Sequence, residues 1–289
     1  MTPYPDPHAF HSELCRFNAG RLTPARIRPD WEADIRAELD MRATEGYFVE
    51  VERARAFERA AQAPWDAAGF VDWFEDLRRC GPGQGDPLFP WLAERATLEE
   101  MRWFLTQEAA GEAGFDDLVA MAQVKLQPVR AKLEMARNYW DEMGRGHERG
   151  MHGPMLHTVV RELDLRPRIE DTVWESLALA NLMVALAANR RYAYQAIGAL
   201  GVIEMTAPGR VGLVNDGLRR LGVATDARLY FQLHSELDIK HSKAWNAEVL
   251  YSIVDSDPEL AQPIAEGALM RLACGARCFE RYRRHFGLT

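Results

Sequence analysis

Apolar residues recur at three- and four-residue spacing over most of this chain, and no segment alternates in the two-residue rhythm of a half-buried strand. The pattern predicts helices almost throughout. A Pro-rich lead (Pro3, Pro5, Pro7) precedes a short helical piece within residues 1–20, and residues 29–62 read as a long charged helix or a helix pair. Residues 66–79 form a short amphipathic helix with Phe70, Trp73, Phe74 and Leu77 on one side. The stretch CGPGQGDP at 80–87 is the strongest loop signal in the chain. Beyond it, 98–127 is helical with a break near Gly111 and Gly114, and Pro128 suits the first turn of the next helix, which ends in the glycine-rich 144–154. Residues 155–165 are helical, and 171–189 are apolar nearly all round, as a buried central helix must be. A helix over 192–205 is closed by Pro208, and another follows over 210–221. The last two span 230–250, with Thr225 and Asp226 as capping oxygens, and 258–286. The expectation is an all-α protein in two parts: an N-terminal helical extension, 1–88, and a main bundle, 89–289.

Composition narrows what such a bundle does. A hydrophobic share of 47% with 27% charged residues fits a globular protein able to bury a substantial core. A net charge of −8 without a long basic run argues against nucleic acid as a partner. No apolar run approaches membrane-spanning length, and the N-terminus has neither a basic nor an apolar signal region. Four scattered cysteines suit a reducing cytoplasm.

Chemistry concentrates in YFQLHSELDIKHSKAWNAEVL, residues 230–250. At about 100° per residue, Asp238 lies about 40° one way from His234 and His241 about 20° the other, so all three leave one stripe of one helix. Phe231, Leu237, Trp245 and Val249 flank the stripe and point it inward. Two imidazoles and a carboxylate in an apolar interior are costly unless something binds them, and a transition metal is the usual solution. The alternative, three solvated residues on an exposed face, fits poorly with such tight spacing and apolar flanks.

Three more residues complete an inventory of three imidazoles and three carboxylates: Glu142 at a helix end, His152 ten residues later, and Glu204 among small apolar neighbours. That set suits two iron atoms bridged by carboxylate, a centre that reduces and cleaves dioxygen. A ferritin-like bundle would show two Glu-x-x-His pairs, and the sequence contains none. His147 competes with His152, standing about 140° from Glu142 in an unbroken helix where His152 stands about 80° away. Asn138 and Asp141 could steer ligands by hydrogen bonds or simply cap the helix. Glu108, with Glu112 one turn on, could face inward towards a substrate cation or lie on a solvated face. Tyr194 could hydrogen-bond a ligand or belong to the core.

The order Glu142 and His152, then Glu204, then His234–Asp238–His241 resembles the heme-oxygenase-like diiron oxidases and oxygenases, the iron-containing redox enzymes. The resemblance covers residues 90–289. It implies a seven-helix heme-oxygenase-like fold, two iron ions held by those six residues, and dioxygen as co-substrate. It also implies oxidation of a small organic substrate, an external electron donor where the reaction needs one, and often a loosely held iron site. The outcomes it offers are N-oxygenation of an amine and oxidative C–C cleavage, with an amine or amino acid favoured because acids near Glu108 could hold a cation. Two other readings stand beside it. One is a metal-independent enzyme of the same fold, thiaminase-like or acting in quinone-cofactor biosynthesis, which would lack the six ligands. The other is a non-enzymatic helical interaction protein. A porphyrin is a poor fit, because the converging acids would line its pocket. The charged extension suits a homodimer interface or a cover over the bundle.

Overall fold

The computed structural model describes residues 4–27 and 29–288, so Pro3 lies outside the described residues. In chain order the helices are α1 (Pro7–Leu22), α2 (Trp31–Ala60), α3 (Ala67–Cys80), α4 (Leu88–Glu94), α5 (Leu98–Ala110), α6 (Phe115–Ala122) and α7 (Val129–Glu142). They continue as α8 (His152–Glu162), α9 (Trp174–Ala188), α10 (Ala193–Arg220), α11 (Thr225–Ala244), α12 (Tyr251–Ser256) and α13 (Ala261–Phe286). The all-α expectation holds, and the described residues contain no strand. The helices after residue 88 outnumber the seven expected, because short pieces such as α4 and α6 stand as separate elements.

Local chemistry explains most boundaries. Asp6 accepts from Ala9 N at 3.0 Å and Asp66 from Gly69 N at 2.8 Å, each starting a helix. Thr97 and Glu100 form a reciprocal capping box at the head of α5. The break expected near Gly111 and Gly114 separates α5 from α6. Three expectations fail. Pro208 does not close its helix; α10 runs through it to Arg220, so the pieces at 192–205 and 210–221 are one element. Packing against α11 and α13 along the length of α10 outweighs the hydrogen bond that a proline removes. Thr225 and Asp226 lie inside α11 rather than capping it, and the N-cap is Ala224. The third concerns apolar length: Arg190–Arg220 contains an 18-residue window long and apolar enough by composition to cross a membrane, and 56% of that window is buried inside the protein. That is the character of a central core helix.

The core forms two apolar clusters. One unites α1, α2 and α3 with α9, α12 and α13, placing Leu14, Phe48, Phe70 and Phe74 beside Leu182, Ile253 and Ala265. The other lies among α4, α5, α8, α11 and the end of α13. α10 contributes to both and crosses α13 with backbone on backbone. A Cβ at Gly198 would stand 1.8 Å from the Ile264 carbonyl oxygen, and one at Gly267 would stand 1.8 Å from that of Gln195. α11 passes into a π-helical turn, Trp245–Leu250, about one helical turn after its last candidate ligand, His241. Such turns mark functional positions in many helices.

Candidate metal centre

Glu142 ends α7, and the chain then folds back through two 3-10 turns so that Met143 and Met151 pair as an antiparallel bridge. Gly144 makes the return possible: its φ is +61°, and a Cβ there would stand 2.5 Å from the Gly150 carbonyl carbon. His152 therefore opens α8 with its Nδ1 3.0 Å from Glu142 Oε2 and 3.2 Å from His234 Nε2. His147 stays on the exposed loop and does not join them. From α10, Glu204 Oε2 comes within 3.4 Å of His241 Nδ1, which lies 3.7 Å from Glu142 Oε1. All six residues proposed as ligands are buried.

These contacts resolve into two groups that share one residue. Glu142, His152 and His234 offer donor atoms all within 4.8 Å of one another, and so do Glu142, Glu204 and His241. Asp238 faces the same cavity without belonging to either group.

Hydrogen bonds set the histidine tautomers. His234 Nδ1 donates to the Tyr230 carbonyl at 2.6 Å, which turns the Nε2 lone pair towards Glu142. His241 Nε2 donates to Asp141 Oδ2 at 3.1 Å, leaving the Nδ1 lone pair facing Glu204. His152 directs Nδ1 to the cluster while Nε2 looks towards the Tyr230 hydroxyl, 3.4 Å away, and Glu112, 3.8 Å away. Asn138 donates to Glu204 Oε1 from the buried face of α7. Each ring thus turns one nitrogen to the same small volume.

The residues fit a metal. Asp238 Oδ1 and His241 Nδ1 are buried polar atoms without a hydrogen-bond partner, and an unpaired buried group is expensive. Burial, with the nearby Glu204 and Glu142 charges, pushes the Asp238 carboxyl well above the usual carboxylate range. Without metal, protons compensate for part of this. Burial alone would lower His152, but its hydrogen bond to Glu142 and the Glu112 charge outweigh it and hold it at about 9. His241 is likewise lowered by burial and raised further by Glu204 and Asp141, to about 9. Neutral imidazole and carboxylate at these positions are ligands for iron, manganese or zinc.

The cavity beside the cluster adjoins a second, with Glu108, Glu112, Tyr230 and Arg271 lining both. Glu108 faces this space rather than bulk solvent; it accepts from the Tyr282 hydroxyl at 2.8 Å, and burial raises its carboxyl. Tyr194 packs half-buried against the main core and does not line the cavity. Sequence reasoning missed Tyr230, which shares the stripe of His234 one turn earlier and was legible there. It also missed Arg210 and Arg271. Arg271 interrupts the apolar run GALMRLAC, a usable signal, whereas Arg210 after Pro208–Gly209 looks like any exposed helix residue.

Fold and site together define a heme-oxygenase-like helical protein with a buried histidine–carboxylate centre. The chain belongs to the family of iron-containing redox enzymes, whose model matches residues 102–276 and so spans every residue of the cluster. Among solved structures it is similar to a CADD-like protein of unknown function from Nostoc punctiforme, at 15% identity and a TM-score of 0.54, over 82% of this chain and 97% of that one. It is also similar to a domain of unknown function with a heme oxygenase-like fold from Shewanella denitrificans, at 15% identity and a TM-score of 0.52, over 77% and 90% of the two chains. At that identity both likenesses concern the fold. No curated protein matches the chain.

Proposed function

We propose that the protein is a non-heme diiron oxygenase or oxidase that activates dioxygen to oxidise a small organic substrate. The observation that carries the reading is the sharing of Glu142 between the two donor groups, the arrangement a bridging carboxylate requires. His152 and His234 would complete one iron site, and Glu204 and His241 the other. Asp238, which faces the same cavity and whose Oδ1 has no partner, would serve as a further ligand. Two ferrous ions, when bound, supply electrons for reductive cleavage of dioxygen.

The chain's own residues have separate tasks. Asp141 and the Tyr230 carbonyl hold His241 and His234 in the ligating tautomer. Asn138 orients Glu204. Apolar walls including Phe115, Leu118 and Met183 keep bulk water from the centre. Membership of an iron-containing redox family supports an oxidoreductase. An external donor would return electrons after turnover, and a reducing cytoplasm would supply them.

The test is oxygen uptake by protein loaded anaerobically with ferrous iron. A fast uptake that scales with protein and is lost in Glu142→Ala supports the reading. Uptake no faster than that of ferrous iron in buffer would sink it.

A further inference from the structure

Beyond the cluster, the cavity continues between α5, α8, α10, α11 and α13 into a space walled by Phe89, Phe104, Leu156, Val159, Phe231 and Phe279. Two arginines enter this apolar chamber. The Arg210 guanidinium lies over the Phe89 and Phe279 rings, 5.8 and 5.5 Å from their centroids, and one of its nitrogens donates to Thr206 Oγ1 at 3.0 Å. Arg271 reaches in from α13 and lines both chambers, and its Nε is a buried donor with no partner. Among the described residues neither arginine forms an ion pair, although the chain pairs most of its buried charges elsewhere.

The acids of the chamber do not offset these cations. Of the two carboxylates lining the chamber with them, Glu108 already accepts from Tyr282. Glu112 turns to the other end, accepting from Gly114 N at 3.0 Å and lying 3.8 Å from His152. Neither carboxylate closes an ion pair with Arg210 or Arg271, so the two guanidinium groups keep unused donors in a largely apolar room. Burial and the neighbouring Arg271 charge lower Arg210 to about 9 against the pull of Glu108, the direction expected of a cation lacking a counter-charge. A buried charge of this kind is retained at a cost unless a ligand supplies its partner.

We infer that Arg210 and Arg271 form an anion-binding subsite that holds the carboxylate of an organic acid, with the acid's apolar body lying along the aromatic chamber towards the metal cluster. This names a substrate class for the centre and rests on the diiron reading only for the chemistry that follows binding. The guanidinium fork matches a planar carboxylate, whereas a substrate ammonium would meet two like charges. Of the amine or amino acid favoured by the sequence, a simple amine loses support, because Arg210 and Arg271 stand beside Glu108.

The test is calorimetric titration of the full-length protein with 3-phenylpropanoate, 3-phenylpropylamine and 3-phenylpropanol, after chelation and again after anaerobic ferrous loading. The chelated protein is expected to bind the carboxylate at least about tenfold more tightly than the amine or the alcohol. Arg210→Gln and Arg271→Gln, with unchanged circular dichroism, should each remove most of that preference, and Arg271→Lys should restore part of it. Equal binding of amine and acid would overturn the inference, as would carboxylate binding that appears only after ferrous loading, since the metal would then be the anion's partner. The comparison among ligands on the unaltered chain stands even if a variant fails to fold. Failure of iron loading would count against the diiron reading alone, because the chelated arm does not use it.

Discussion

A histidine ligates through one nitrogen, so the partner of the other nitrogen decides whether it is ready. Asp141 performs this task for His241, and Asn138 holds Glu204 opposite it. Asp141→Ala should therefore weaken ferrous binding by about 10- to 100-fold while leaving the helical signal intact, as loss of a hydrogen-bonding partner behind a ligand does. Unchanged affinity would mean that the Asp141 contact is incidental.

The same residues set a pH dependence. His152 and His241 stand near 9 in the metal-free protein against an ordinary 6.5, so their contribution to stability is complete below pH 6.5 and is lost as pH rises through 9. Asp238, raised by burial and its neighbouring acids, changes stability in the same direction across that window. The melting temperature of chelated protein should fall from pH 6.5 to 9, and ferrous affinity should rise over the same interval as the ligands release protons. A melting temperature that climbs with pH would contradict these assignments. At this scale the sequence was informative for α11, where helical periodicity alone puts His234, Asp238 and His241 on one face. It favoured His152 over His147 only by helical angle, because a positive-φ glycine and a backbone bridge set the return of that loop.

Among the elements, α10 is the organiser. It supplies Glu204, packs most extensively on α11 and α13, and touches α13 through glycine at both partners. A methyl group at Gly198 would meet a carbonyl oxygen that cannot move without shifting α13. Gly198→Ala should destabilise the protein by about 1–3 kcal/mol, the usual cost of overpacking, and lower metal affinity with it. Thermal melting with and without metal checks both effects, and an unchanged melting temperature would show that the crossing has slack. This element was the least legible in the sequence. Pro208 and Gly209 look like a helix end, and only the packing on both sides of α10 keeps the helix continuous. Its apolar length, suggestive of a membrane span in isolation, reflects the same central position.

For the molecule as a whole, the all-helical class was readable from periodicity, but the relation of its first three helices to the rest was not. α1, α2 and α3 insert Leu14, Phe48, Val49, Phe70, Phe74 and Leu77, all at most 1% exposed, into a core shared with α9, α12 and α13. At roughly 1.5–3 kcal/mol for each fully buried side chain, their removal costs on the order of 10 kcal/mol. That matches the whole stability of a typical domain, about 5–15 kcal/mol. A chain beginning at residue 88 should therefore be insoluble or lack cooperative melting; a soluble truncated form that melts cooperatively would show that the bundle stands alone. Long-range pairing of this kind leaves no local signal, and the loop at 80–87 marks a turn without revealing that both sides of it share one core.

The claim on which the account turns is that Glu142 belongs to two metal sites at once. Anaerobic ferrous titration of the full-length protein and of Glu142→Ala, with metal per chain read after desalting, tests it most directly. The account predicts two irons per chain in the unaltered protein and the loss of both in the variant. A single iron per chain, or two that survive in Glu142→Ala, would contradict it.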